Sequence, residues 1–137
     1  MVMSIRVLTP DRVICSTSAD EIVLPGLTGQ VGVLEGHVSL VTALDTGLLR
    51  IKLEETWTPI ILCGRLAEID RNRVTVLVNE VEEFTGIELK DVTKELEEAT
   101  IALEKAETSK DRLDASIELK KANARVQGMN YLSKNVK

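Results

Sequence analysis

Short runs in which apolar and polar residues alternate fill the first part of the chain. Alternation is clearest at 73–78, where Val74, Val76 and Val78 fall on the same face of an extended strand. Turn-forming residues separate such runs about every eight to twelve positions, a spacing that is typical of a β-sandwich or barrel. The pattern predicts strands at 4–8, 12–16, 21–24, 30–34, 38–43, 48–53, 57–62, 65–69 and 73–78 and turns at 9–11, 25–26, 45–47 and 70–72.

The hydrophobic period changes after residue 86. Seven of the eight glycines and all three prolines lie at or before this position. From residue 87 onward, apolar residues recur every three or four positions, as on one face of a helix that packs against another. The first stripe is Leu89, Val92, Leu96, Ala99, Leu103 and Ala106, and the second is Ala115, Leu119, Ala122, Val126 and Met129.

Polar residues at 107–111 separate the two helical stripes. Thr108 and Asp111 have the spacing of a capping box, and Thr85 and Glu88 mark the start of the first helix in the same way. The predicted fold is therefore α+β. An N-terminal antiparallel β-sandwich, or flattened barrel, over 1–86 is followed by a C-terminal antiparallel two-helix hairpin over 87–137.

No residue forces the chain to turn back between the two helices, because 87–127 contains neither Pro nor Gly. Fused into one rod, this segment would extend about 60 Å at 1.5 Å per residue. Burial of both apolar stripes favours the hairpin, whereas a partner that buried them equally well would favour the rod. We therefore expect the helical part to have two accessible forms.

Composition excludes several classes of function. The 137 residues are 44% hydrophobic but only 2% aromatic, and the net charge is -5. Nucleic acids are bound through basic residues and aromatic stacking, so we expect no nucleic acid partner. No run approaches the roughly 18 apolar residues of a membrane span, and the N-terminus lacks a signal-peptide pattern, so we expect no direct membrane insertion.

No group of residues suggests catalysis or metal binding. His37 is the only histidine and no Gly-x-Ser-x-Gly motif is present, so we interpret His37 as a loop or interface residue. Cys15 and Cys63 lie far apart without a zinc-binding spacing, so we expect two small buried side chains and no disulfide. The glycines at 26, 29, 32 and 36 match no phosphate-binding motif and are explained by turns. The acidic pairs at 54–55 and 82–83 are expected to be solvated.

Charge distinguishes the two helical segments. Residues 87–111 carry eight acids against four lysines, and residues 112–137 carry two acids against six bases. The basic stripe Lys120, Lys121 and Arg125 is either a solvated face or a surface for an acidic partner, and the sequence favours the two interpretations almost equally.

Glycine spacing in the first half of the chain resembles a known family. The segment 24–38, which reads LPGLTGQVGVLEGHV, with 63–68, 73–79 and the two Ala-rich helices, resembles the epsilon subunit of F-type ATP synthase. The helical half is most similar to the cyanobacterial and chloroplast branch. The sequence departs from the family pattern at Glu35, where many members have proline.

The resemblance implies a non-catalytic subunit that couples the catalytic head to the proton-driven rotor ring. It also implies that the C-terminal helices inhibit ATP hydrolysis by changing conformation, and that the subunit is peripheral on the cytoplasmic or stromal face of an energy-transducing membrane such as the thylakoid. The partners implied are the gamma subunit, the ring of c subunits and, when the helices extend, the alpha and beta subunits. By position, the implied gamma contacts are Glu35, Gly36, His37, Val38 and Leu40, the rotor-ring contacts are Thr28, Gly29, Gln30 and Val31, and the inhibitory contacts are Arg112, Lys120, Lys121 and Arg125.

Some bacterial members of that family bind ATP through an Ile-Asp-x-x-Arg-Ala motif at the start of the first helix. The corresponding residues here begin with Ile87 and Glu88, and Asp91 and Val92 replace the arginine and the alanine. A carboxylate repels phosphate, so we expect weak or absent ATP binding and no cofactor. A coiled-coil adaptor unrelated to ATP synthase remains the alternative function, and an enzyme is the poorest interpretation because no pair of catalytic groups can be named.

Overall fold

A computed structural model describes residues 3–82 and 89–135, with the side chains of 89–90 and 132–135 outside the description. It contains eight strands followed by two helices. The predicted α+β fold is confirmed. The strands are β1 Met3–Leu8, β2 Val13–Ala19, β3 Glu21–Gly26, β4 Gly29–Leu34, β5 Leu40–Ala43, β6 Gly47–Leu53, β7 Thr56–Asp70 and β8 Arg73–Glu82, and the helices are α1 Leu89–Lys105 and α2 Ser109–Asn135.

The strands form one curved sheet in the order β2-β1-β8-β7-β6-β3-β4, and β5 also pairs with β7. All pairs are antiparallel except β1 with β8. Alternate residues of the strands point to one side and enclose a core made almost entirely of Val, Ile and Leu. A sandwich with few aromatic residues therefore builds its core from branched aliphatic side chains.

The prediction of separate strands at 57–62 and 65–69 is wrong, because both belong to the 15-residue strand β7. Its pairing with β8 shifts register at Cys63 and Gly64, which is a β-bulge and not a turn. A Cβ atom on Gly64 would lie 2.4 Å from the Cβ of Leu44, so only glycine fits there. The first half of β7 pairs with β6 and the second half with β5, which lets the sheet close around the core.

The hairpin turns follow the chemistry of their residues. Glu54 and Glu55 join β6 to β7 with φ of 51° and 67°, and Arg71 and Asn72 join β7 to β8 with φ of 49° and 63°. Two consecutive positive φ values are typical of the two-residue turn that matches strand twist. The turn predicted at 25–26 instead lies at 27–28, since Gly26 still pairs with Gly29 as the last residue of β3.

The two helices form the predicted antiparallel hairpin. The connector is shorter than predicted, because α2 begins at Ser109. The Thr108 hydroxyl accepts a hydrogen bond of 3.0 Å from the Asp111 amide, so Thr108 caps the start of α2 as the spacing predicts. The first capping box, at Thr85 and Glu88, and the boundary at residue 86 lie outside the described residues. Neither described helix combines the length and apolarity that a membrane crossing requires.

The hairpin stripes are only partly enclosed. Val92 and Ala122 are buried, whereas Leu96, Leu103 and Leu119 are half-buried. The second helix also has a second contact face, which the stripe analysis did not predict. Ala124 is buried against Leu48 of β6 and Ile61 of β7, so α2 lies on the outer face of the sheet.

Candidate functional site between the second helix and the sandwich

Three basic side chains of α2 bind three carboxylates of the sandwich. Lys120 Nζ lies 3.0 Å from Asp45 Oδ1, and Lys121 Nζ lies 2.6 Å from Glu80 Oε1. Arg125 donates from Nε and Nη2 to the two carboxylate oxygens of Glu82, at 2.6 and 2.9 Å. We call the six residues Asp45, Glu80, Glu82, Lys120, Lys121 and Arg125 the α2 anchor.

This arrangement matches neither of the two interpretations of the basic stripe. Each of its three cations has a carboxylate partner. The partners belong to the same chain, which the sequence analysis did not consider. Glu82, expected to be solvated, is 41% exposed and is also bound by Arg125, while Glu83 lies outside the described residues.

Local geometry explains why the three carboxylates face one helix. Asp45 lies in the turn before β6, where its side chain accepts the Thr46 amide at 2.8 Å and its own amide donates to the Pro25 carbonyl at 2.8 Å. Glu80 and Glu82 are two residues apart on β8, so their side chains leave the same face of the strand. The acids are therefore held by the sheet and not by the helix.

Electrostatics keeps the central pair of the α2 anchor charged. The hydrogen bond from Lys121 lowers the pKa of Glu80, and the same bond raises the pKa of Lys121. Lys121 and Arg125 are less exposed than their carboxylate partners: the side chain of Lys121 is 19% exposed and that of Glu80 60%, whereas Lys120 is 43% exposed and Asp45 31%. The anchor is a set of partly solvated ion pairs in which two of the three cations are mostly covered.

Cys63 lies at the edge of the α2 anchor. Its Sγ donates to Glu80 Oε1 at 3.3 Å. Burial raises the pKa of the Cys63 thiol, and the bond to Glu80 acts in the same direction. Cys15 and Cys63 are each only half-buried, so the prediction of two buried side chains is wrong.

An aromatic contact holds α2 at its C-terminal end. Tyr131 meets Trp57 edge to face, with ring centroids 5.4 Å apart. The guanidinium of Arg50 lies 4.9 Å from the centroid of the Tyr131 ring and donates a hydrogen bond to its hydroxyl. These are the only Trp and Tyr of the chain, and their scarcity gives no indication in the sequence that they meet.

Arg112 is separate from the other predicted inhibitory residues. Its Nε donates to the carbonyl of Ala106 at 3.2 Å, next to the connector between the helices. The side chain therefore stabilises the end of α1 instead of contacting the sandwich. The four basic residues grouped by the resemblance divide into three that bind the sandwich and one that binds the hairpin turn.

The implied gamma contacts form one exposed edge of the sandwich. Gly36 has φ of 86° and its amide donates to Asn72 Oδ1 at 2.8 Å, which fixes the loop after β4. His37 lies in this loop, as predicted, with Nδ1 2.7 Å from the carbonyl of Val38. The large apolar side chains exposed along this edge, which we call the apolar edge, are Leu34, Val38, Leu40 and Val41.

The implied rotor-ring contacts lie at the tip of the hairpin formed by β3 and β4. Thr28, Gly29 and Gln30 are exposed and Val31 is half-buried. Leu27 is 61% exposed at the same tip and was missed, because an apolar residue beside a turn carries no distinctive pattern. The tip adjoins the α2 anchor, because Gly29 and Gln30 line one groove with Asp45 and Lys120.

The cleft between the helices is lined by acidic residues. Its walls include Glu95, Glu98 and Glu118, together with Arg125. Of the segment compared with the bacterial ATP-binding motif, only Asp91 and Val92 have described side chains, and they are exposed and buried respectively. Within the described parts of the chain, no cluster of His, Cys, Asp and Glu side chains has the makings of a metal site.

The fold and the site define a class: a β-sandwich with an exposed apolar edge and a helical hairpin held on its outer face by ion pairs. Residues 2–84 match the model of the beta-sandwich domain of the ATP synthase delta/epsilon chain. The chain therefore belongs to the epsilon-subunit family of F-type ATP synthases, in its chloroplast type.

Relatives agree with this assignment, and a solved structure agrees with the fold. The chain is 77% identical to the chloroplastic ATP synthase epsilon chain of Thalassiosira pseudonana, over 97% of this chain and all of that one. It is 44% identical to that of Gracilaria tenuistipitata var. liui, over 97% and 99% of the two chains. The fold matches a chain in the Euglena gracilis mitochondrial ATP synthase OSCP/F1/c-ring structure at 20% identity and a TM-score of 0.77, covering 93% of this chain and 81% of that chain.

Proposed function

We propose that this chain is a non-catalytic central-stalk subunit of a chloroplast-type ATP synthase that restrains ATP hydrolysis by releasing α2 from the sandwich. The observation that supports the proposal most directly is the α2 anchor. Three of the four cations that the family resemblance assigns to inhibition are occupied by sandwich carboxylates while the hairpin is folded. Release of α2 frees them for acidic groups on other subunits.

The folded hairpin is then the non-inhibitory form and the extended helices are the inhibitory form. The 87–127 segment has no Pro or Gly to prevent extension. The cations bind either the sandwich in the folded form or a partner in the extended form. A partner therefore shifts the equilibrium between the two forms by the difference in its affinity for them.

The proposal assigns the remaining surfaces to docking. The apolar edge binds the gamma subunit, because several large apolar side chains exposed within one short stretch of the chain are typical of protein interfaces. The tip at residues 27–31 faces the ring of c subunits. The subunit is held in this way at a membrane surface, on the stromal side in a thylakoid. A coiled-coil adaptor unrelated to ATP synthase has no comparable support from the relatives.

We further propose that ATP is not a ligand of the isolated chain. Three carboxylates line the cleft between the helices and Arg125 is already engaged by Glu82 and Glu95. A triphosphate entering this cleft would meet like charge without a free arginine. Calorimetric detection of tight ATP binding to the isolated chain would contradict this part of the proposal.

The function is tested by adding the chain to a chloroplast-type catalytic complex that lacks its epsilon subunit. We expect ATP hydrolysis to fall on addition of the full chain. Triple replacement of Lys120, Lys121 and Arg125 by Ala is expected to weaken inhibition while the variant still co-purifies with gamma. Full inhibition by the triple variant would refute the switch assignment, and failure to co-purify with gamma would refute the assignment to the central stalk.

A further inference from the structure

Arg125 is shared between two interfaces. Its Nε and Nη2 bind Glu82 on β8, and its Nη1 donates to Glu95 on α1 at 3.1 Å. The side chain is only 16% exposed, while those of Glu82 and Glu95 are 41% and 49% exposed. The other two anchor cations differ: Lys120 pairs with the sandwich, and Lys121 pairs with the sandwich and with Glu118 of its own helix.

We infer that Arg125 couples separation of α1 from α2 to release of α2 from the sandwich, so that the two interfaces open together. A guanidinium is a rigid planar group with donors fixed along its edges. Glu82 occupies one edge and Glu95 binds a remaining donor, so each carboxylate orients the group for the other. Loss of either carboxylate leaves Arg125 as a mostly covered cation with fewer partners. The contact of Arg125 with the remaining carboxylate is then weaker.

Coupling of this kind makes opening of one interface favour opening of the other. Separation of α1 from α2 raises the fraction of molecules in which α2 leaves the sandwich, and undocking of α2 raises the fraction in which the hairpin opens. A partner that engages α1 alone therefore also promotes release of α2. The inference deepens the proposed switch and rests on it, because it specifies how the closed form gives way to the extended one.

Native-state hydrogen exchange of the isolated full chain tests the coupling. Glu95→Gln removes the α1 carboxylate that binds Arg125, and Glu98→Gln is its matched control, since Glu98 lines the same cleft three residues away. Loss of one partly exposed ion pair corresponds to about a two- to fivefold rise in opening. We expect Glu95→Gln to accelerate exchange by this factor both in α1 and in residues 119–131, and Glu98→Gln to accelerate neither.

The same substitution made in a chain that lacks the Arg125 side chain separates coupling from simple destabilisation of α1. In Arg125→Ala, Glu95→Gln should no longer change exchange in residues 119–131. Arg125→Lys should reduce the transmitted effect as well, because a point charge lacks the several oriented donors of a guanidinium. Trp57 emission provides an independent readout of the α2 contact, through Tyr131.

Three results would overturn the inference: faster exchange in α1 alone with Glu95→Gln, an equal effect of Glu98→Gln, or an undiminished effect in the Arg125→Ala background. Failure of the proposed function is a different result. If Glu95→Gln opens both interfaces of the isolated chain but leaves inhibition of ATP hydrolysis unchanged, the coupling holds and the switch assignment does not.

Discussion

Removing the acidic side of the α2 anchor is expected to strengthen inhibition. The double variant Glu80→Gln with Glu82→Gln keeps Lys121 and Arg125 available for a partner but deprives them of their sandwich carboxylates in the folded state. The closed form is destabilised and the open form is not. Replacing the cations has the opposite effect, because it removes the groups that the inhibitory state uses.

The size of the effect follows from exposure. The two carboxylates are 60% and 41% exposed, so solvent screens both pairs and each contributes about 0.5–1 kcal/mol. Together the two pairs stabilise the closed form by about 1–2 kcal/mol. Their removal therefore raises the ratio of open to closed molecules about five- to thirtyfold. If the open form is a minor species, apparent affinity for the inhibited complex rises by the same factor.

The assay is titration of the double variant into the epsilon-free catalytic complex, with the concentration for half-inhibition of ATP hydrolysis as readout. Asp11→Asn is the control, since Asp11 is an exposed carboxylate in the turn between β1 and β2. We expect half-inhibition at about five- to thirtyfold lower concentration for the double variant and no change for the control. Weaker inhibition by the double variant would refute the idea that the sandwich competes for these cations.

Two further predictions concern the isolated chain. The pKa of Glu80 is lowered, so its contribution to stability is complete above the ordinary pKa of about 4.3 and is lost as pH falls through the lowered pKa. The pKa of Lys121 is raised, so its contribution is complete below the ordinary pKa of about 10.4 and is lost as pH rises through the raised pKa. Trp57 emission should therefore stay constant between about pH 6 and 9 and change only below about pH 4 or above about pH 10; a transition near neutral pH would contradict the assignment of the anchor to carboxylates and amines. Tyr131→Ala removes the contacts with Trp57 and Arg50 and should weaken α2 docking by about 1–3 kcal/mol, seen as faster proteolysis within α2, whereas Tyr131→Phe, which keeps the ring, should lose less; equal losses would show that the ring does not contribute.

Much of the fold follows from local pattern. Alternation at β8 predicts that Val74, Val76 and Val78 face the core, and all three are buried. Gly64 is different, because a glycine within an apolar run is compatible with either a turn or a bulge. Only the packing of Leu44 against this position decides for the bulge.

Adjacent apolar residues in β6 and β7 indicate in the sequence where α2 covers the sheet. Leu48 and Leu49 are adjacent in β6, and Ile60, Ile61 and Leu62 are adjacent in β7, and all five are buried. Adjacent residues of a strand point to opposite faces, so both faces must be covered at this point of the sheet. One face is the sandwich core and the other is the helix.

The ion pairs of the α2 anchor have no such signal. Asp45 and Lys120 are 75 residues apart, and Glu82 and Arg125 are 43 apart. Their proximity depends on the rotation and height of α2 on the sheet, which is set by contacts such as Ala124 with Ile61. A charge pattern shows that such pairs are possible, but the docked helix decides which ones form.

The closed form is held by a small apolar contact and by weak ion pairs, and this fits a reversible restraint. The apolar part of the α2 contact with the sheet is small: its buried members are Leu48, Ile61 and Ala124, with Tyr131 beside them. The anchor adds partly solvated ion pairs of about 0–1 kcal/mol each. A helix held in this way stays docked in the isolated chain, yet a partner that offers comparable burial and acidic groups for the same cations can displace it. To convert a mostly closed population into a mostly open one, the partner must bind the open form more tightly than the closed form by only about 5 kcal/mol.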